Sequence, residues 1–168
     1  SGEMWNQVTT PLGASDTSDR KIPRVLGKLT YQMNEANRFS FMAENDAVTN
    51  ERRGISAYTW AEASSKQDGP STTVSLDWES LINSENFTNI RITGYDGRDD
   101  YLPYNGFDTP GRVDYYNTEI SWVNQEMSEL NHRSIKSLDG SWNLYKDGLF
   151  TAKDSHTFKF GGRYEMAQ

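Results

Sequence analysis

A chain of 168 residues has room for one domain of ordinary size. With no cysteine it has neither a disulfide framework nor a thiolate metal site, and a formal net charge of −7 argues against the clustered Lys and Arg of a nucleic-acid surface. Mean hydropathy is −0.82 although 12% of residues are aromatic, which suits polar loops around narrow apolar bands better than a disordered tail.

Residues 1–23 carry Pro11, Gly13, Pro23 and a Ser/Thr/Asp cluster, so they read as loop, with Met4–Val8 as the tail of a preceding strand. The start, SGEMWNQ, does not read as a signal peptide, so an exported protein is expected to be longer than this chain. Over 24–33, Val25, Gly27, Leu29, Tyr31 and Met33 alternate with Lys28, Thr30 and Gln32, the period of two of a pleated strand. After the polar turn Asn34–Asn37, a strand at 38–45 sets Phe39, Phe41 and Ala43 against Arg38, Ser40 and Glu44. Residues 46–70 read as a long polar loop, with a weak strand signal at Ile55–Trp60.

A second hairpin repeats the plan. In 71–82, Val74, Leu76 and Trp78 oppose Thr73, Ser75, Asp77 and Glu79; after a short turn at Asn83–Asn86, Ile90, Ile92 and Gly94 in 87–95 oppose Asn89, Arg91 and Thr93. Residues 96–130, dense in Gly, Pro, Asp and Tyr, read as a second long loop. Tyr116, Thr118, Ile120 and Trp122 alternate briefly inside it, and parity favours a loop excursion there. A third hairpin pairs 134–145, where Lys136, Leu138, Gly140, Trp142 and Leu144 share a face, with 156–166, where Phe158, Phe160, Gly162 and Tyr164 do.

No run approaches the ~20 apolar residues of a membrane helix, whereas a tilted spanning strand needs only ~9–11. Long structureless loops are unusual in a compact soluble domain, while short turns at one rim and long loops at the other are what a transmembrane barrel shows. Lys28, Gln32, Arg38, Glu44, Asp77, Glu79, Arg91, Asp139, Lys159, Arg163 and Glu165 are cheap in a wet interior and costly in a packed core. The expected fold is therefore all-β: about six antiparallel up-and-down strands forming part of a transmembrane β-barrel wall. The alternative is a soluble, secreted or periplasmic β-sandwich that binds a ligand or glycan, with Phe41, Trp78, Ile92, Trp142 and Phe160 in its core.

Candidate chemistry is confined to one loop. Tyr95, Asp96, Asp99, Asp100, Tyr101, Tyr104, Phe107 and Asp108 suit a polar ligand held by hydrogen bonds and ring stacking, or a hard cation such as calcium, although the spacing does not match an EF-hand. A solvated turn-rich loop explains the same composition. Asp77 and Glu79 as an acid/base pair are already explained by a polar strand face, and His132 and His156 lack a partner at ligand spacing, so neither catalysis, a cofactor nor a metal is expected. Trp60, Trp78, Trp122, Trp142, Tyr31 and Tyr164 suit either interfacial girdles or ordinary sheet packing.

RVLGKLTYQMNEANRFSFMAEND resembles the repeated hairpin of TonB-dependent outer-membrane receptors, particularly those with an N-terminal carboxypeptidase-regulatory-like domain. ITGYDGRDDYLPYNGFDTPGR resembles their extracellular loop segments, and DSHTFKFGGRYEMAQ the strand that follows a short periplasmic turn. The resemblance covers most of residues 24–168. It implies a barrel of about 22 strands with a plug, in a bacterial outer membrane, taking up a scarce solute. The implied partners are outer-membrane lipid, an unknown small solute and the inner-membrane TonB energising complex, reached through a plug this chain does not contain. No TonB box or terminal aromatic is present either, so the chain reads as an internal excerpt of the wall, unable to transport by itself.

Overall fold

The computed structural model describes residues 2–9, 15–116, 120–125, 128–151 and 153–168. These residues are all-β: β1 (Gly2–Thr9), β2 (Ser15–Ile22), β3 (Arg24–Gln32), β4 (Asn37–Arg53), β5 (Ser65–Asn83), β6 (Asn86–Arg98), β7 (Asp100–Pro103), β8 (Arg112–Asp114), β9 (Ile120–Trp122), β10 (His132–Asp147) and β11 (Ser155–Ala167), with a 3-10 turn at Ala61–Ala63. Nine strands form one antiparallel sheet in the order β1-β2-β4-β5-β6-β10-β11, β3 also pairing β4 and β7 also pairing β5. β8 and β9 form a separate two-stranded sheet. Among the described residues no barrel closes.

Two of the strand breaks are local events inside longer strands. Lys21 faces Thr49 in the β2–β4 register, and two steps on the Ala47 N–H donates to the Pro23 carbonyl at 3.1 Å. Proline has no N–H to return, so β2 gives way to β3 there although the pairing continues. Arg24 meets Asp46 at 3.2 Å in the same frame. Between β6 and β7 the Asp99 N–H turns instead to the Asn131 carbonyl at 2.9 Å, while Asp100 resumes pairing opposite Asp68. Gly69 fits there because a Cβ would stand 3.2 Å from the Arg98 carbonyl and from Asp99 Oδ1.

These ladders correct three expectations. Residues 2–9 and 15–22 are the paired arms of a hairpin, from Gly2↔Ile22 to Thr9↔Ser15; β1 contains the strand expected at Met4–Val8, while the rest of these arms replaces the expected loop, and Pro11 and Gly13 lie outside the described residues. The loops expected at 46–70 and 96–130 are shorter, since β4 runs on to Arg53, β5 starts at Ser65, and β6 and β7 reach Pro103. Polar residues predominate on both faces of these extensions, so hydrophobic alternation fades while backbone pairing goes on. Ile55–Trp60 is a tight turn closed by a Ser56–Thr59 bridge, not a strand. The excursion expected near Tyr116–Trp122 is β9 against β8; Thr118 lies outside the described residues. At three residues each, these two strands are too short to cross a bilayer.

The chain divides into two compact units. The first comprises Ser1–Val25, Asn45–Ser71 and Gly97–His132, the second Leu26–Glu44, Thr72–Asp96 and Arg133–Gln168. In the second, two of the three hairpin turns open on an asparagine whose side chain caps the turn. Asn34 Oδ1 accepts the Ala36 and Asn37 N–H groups at 3.0 and 2.8 Å, and Asn83 Oδ1 accepts the Glu85 N–H at 2.9 Å. Next to these turns, Trp78 Nε1 donates to Asn37 Oδ1 and Trp142 Nε1 to Asn86 Oδ1, both at 3.1 Å.

The two faces of the second unit differ as the alternation predicts. On one, Phe39 stacks with Trp78 at 6.3 Å and Trp142 with Phe160 at 5.7 Å, and the β10–β11 register sets Leu138 opposite Tyr164 and Leu144 opposite Phe158. On the other, cross-strand ion pairs join Arg38 to Glu79 at 2.6 Å, Arg91 to Asp77 at 2.5 Å and Arg163 to Asp139 at 2.5 Å. Their arginines are at least half exposed, so solvent screening leaves each pair little weight in stability.

Nothing covers the apolar face among the described residues. Leu29 is 68% exposed, Ile92 53% and Phe160 57%, and the buried apolar side chains, Ile55 and Ala63, both belong to the first unit. The sandwich alternative needs Phe41, Trp78, Ile92, Trp142 and Phe160 under a second sheet. No such layer exists among the described residues, and Phe41, Ile92, Trp142 and Phe160 are exposed.

Candidate functional site

The strand ends of the first unit gather a group of cations and tyrosines. Gln67 on β5 faces Tyr101 on β7. The Tyr101 hydroxyl donates to Asp99 Oδ2 at 2.5 Å and Gln67 Nε2 donates to Asp99 Oδ1 at 2.7 Å, so both carboxylate oxygens are engaged. The Arg53 guanidinium lies 4.1 Å from the Tyr101 ring centroid, in cation–π contact. The hydroxyl's bond to Asp99, aided by burial, raises the Tyr101 pKa above its ordinary value, although Arg53 pulls the other way. Tyr101 is thus a neutral donor at physiological pH.

Tyr104 sits between two further cations, with Lys66 Nζ 5.0 Å and Arg52 Cζ 5.7 Å from its ring centroid. Arg52 also pairs with Asp16. The Tyr104 hydroxyl, with help from Asp16, holds the Arg52 guanidinium above its ordinary pKa despite some burial. Arg52 takes a left-handed φ of +61° and Gly54 one of +88°, which turns the chain sharply where β4 ends. Asp99, Tyr101 and Tyr104 therefore act as a brace that fixes strand ends through satisfied contacts.

The other residues expected at a site are dispersed. Tyr95 and Asp96 belong to the second unit, on β6. Asp100 lies 4.0 Å from Arg98, while Phe107 and Asp108 are exposed in the loop after β7. Among the described residues no group of three or more His, Asp or Glu side chains converges as a cation requires.

A second feature of the first unit is a cavity of about 330 Å³ whose polar lining comes from Arg53, Thr59, Ser65, Ser121, Asn124 and Gln125. The two connecting segments are built into one another around it. Trp60 N–H donates to the Ser121 carbonyl at 3.0 Å, Ser121 N–H to the Tyr58 carbonyl at 2.9 Å, and Tyr104 N–H to the Ser64 carbonyl at 3.1 Å. Asn124, 2% exposed, is the hub. Its Oδ1 accepts the Asn105 N–H at 3.1 Å, and its Nδ2 donates to the Gly106 and Thr109 carbonyls at 2.7 and 2.6 Å. Asn105 Nδ2 returns a bond to the Val123 carbonyl at 2.7 Å.

Val123 itself holds a φ of +76°, which a β-branched residue adopts only at a cost of ~1–3 kcal/mol. The network around Asn124 supplies the compensation. Next along, Gln125 Oε1 is buried without a hydrogen-bond partner. Sequence reading missed this cavity because its walls come from segments about 60 residues apart, and no local pattern announces that Asn124 is buried. No protein-family model, curated protein or solved structure matches the chain.

Proposed function

We propose that this chain is part of the barrel wall of an outer-membrane TonB-dependent receptor, which takes up a scarce solute actively across a bacterial outer membrane. The observation that carries the reading is the two-faced single sheet of the second unit. Its aromatic and aliphatic face is uncovered among the described residues, while arginine–carboxylate pairs line the opposite face. A contiguous apolar surface of many side chains is rare on a soluble monomer, and lipid is the solvent that removes its hydration cost of ~25 cal/mol per Å². The ion-paired face suits a water-filled lumen. Strands of 17, 19, 13, 16 and 13 residues in β4, β5, β6, β10 and β11 exceed the ~9–11 that a tilted crossing requires.

On this reading the sheet is completed by further strands of the same receptor, and energy from the inner-membrane TonB complex arrives through a plug elsewhere in that receptor. The wall itself performs no bond chemistry. Fractionation of the native source tests this directly. Peptides spanning 1–168 should sediment with the outer membrane, come off only in detergent, and belong to a polypeptide several times larger. A species of 19.2 kDa that stays in solution without detergent would overturn the reading and revive a soluble ligand-binding module.

A further inference from the structure

We propose that the cavity of the first unit is a binding site for a small hydroxylated carboxylate, of the hydroxy-acid or sugar-acid type. Its volume, about 330 Å³, lies at the lower end of the range that small-molecule sites occupy. Among the described residues Arg53 is the one formally charged side chain in its lining, and it favours an anionic oxygen group over an amine or a metal ion. A planar guanidinium accepts such a group with paired N–H donors. Contact with the neutral Tyr101 ring fixes the Arg53 guanidinium without neutralising it.

The remaining lining specifies hydroxyls. Thr59, Ser65 and Ser121 line the cavity with side-chain hydroxyls. A ligand hydroxyl donates to or accepts from these side chains, which act in either sense. Preorganisation supports a built site. Val123 is held in a strained conformation immediately before the two lining residues Asn124 and Gln125, and the three bonds of Asn124 fix that segment.

The site lies wholly in the first unit and does not depend on the membrane reading. Calorimetric titration of the purified protein with gluconate, and with glucitol as its neutral counterpart, tests it. Gluconate should bind saturably at one site, at least tenfold more tightly than glucitol. Arg53→Met should weaken gluconate at least tenfold and abolish that preference. Thr59→Val, which leaves the Arg53–Tyr101 contact intact, should weaken both at least threefold and serves as the deciding variant if Arg53→Met misfolds by circular dichroism. Absence of saturable gluconate binding by the folded protein, a preference unchanged in Arg53→Met, or unaltered affinity in Thr59→Val would overturn the proposal.

Discussion

Asn124→Ala isolates the feature on which the first unit's connecting segments depend. The substitution removes one accepted and two donated hydrogen bonds and leaves the Asn105 N–H and the Gly106 and Thr109 carbonyls without their partner. Each bond contributes ~0.5–1.5 kcal/mol net, and a buried group left unsatisfied costs ~1–3 kcal/mol. Asn105 and Gly106 are exposed enough for water to replace part of the loss, whereas Thr109 is half-buried. The expected destabilisation is therefore about 2–4 kcal/mol, confined to the first unit. Hydrogen exchange read by mass spectrometry over peptides covering 101–125 measures it, since about 1.4 kcal/mol corresponds to a tenfold faster exchange through local opening. Asn124→Asp keeps the acceptor for the Asn105 N–H but sets a carboxylate against two carbonyls. That burial and repulsion raise the introduced carboxyl's folded pKa, so its stability is greatest at low pH and falls as pH rises through that value. Exchange accelerated less than threefold by Asn124→Ala would refute the assignment of this side chain as the hub.

Other sites give sharper contrasts between neighbours. Gly161→Ala should destabilise by about 1–3 kcal/mol, because its Cβ would stand 2.9 Å from the Gly140 carbonyl; Gly162→Ala, with nothing within 4 Å, should stay within about 0.5 kcal/mol of the parent in denaturant titration. In lipid vesicles Ile92→Arg should cost ~2–4 kcal/mol, as an arginine on a lipid face does near the midplane, whereas Thr157→Arg on the polar face should be nearly neutral; equal effects would contradict the sidedness of the sheet. In spectrophotometric titration Tyr101 should ionise later than an ordinary tyrosine, and Tyr101→Phe should remove that late component. Because its folded pKa is raised, the stabilisation Tyr101 provides is complete below the ordinary tyrosine value and disappears as pH climbs through the folded one.

The parts of the fold visible in the sequence are those where side-chain chemistry and backbone pairing report the same period. Leu29, Leu76, Ile92, Leu138 and Phe160 each adjoin a charged residue, and each lies on an observed strand. Pairing beyond Asn45 and before Ser71 left no such trace, because polar residues occupy both faces and the ladder is held by main-chain groups common to every sequence. Pro23 reads as a loop signal, yet it interrupts one ladder bond inside a continuous pairing. At the candidate site, the Tyr/Asp-rich segment 95–108 contributes a brace of strand ends and none of the cavity lining. Asp99, Tyr101 and Tyr104 there engage Gln67, Arg53, Arg52 and Lys66, partners supplied by strands that the sequence pattern read as loop. Asn124 and Gln125 carried no signal at all, since burial of a lone amide depends on contacts far away in sequence.

The absence of native cysteine makes the lipid-facing assignment directly measurable. Single cysteines introduced at Ile92, Leu138 and Phe160, and at their neighbours Thr93, Ser137 and Lys159, can each carry a nitroxide in protein reconstituted from detergent into bilayers. Collision with membrane-dissolved oxygen should dominate for the first three labels and collision with a water-soluble nickel chelate for the second three, the alternation a barrel wall imposes. Equal access of the aqueous chelate to both sets would contradict a lipid-facing wall.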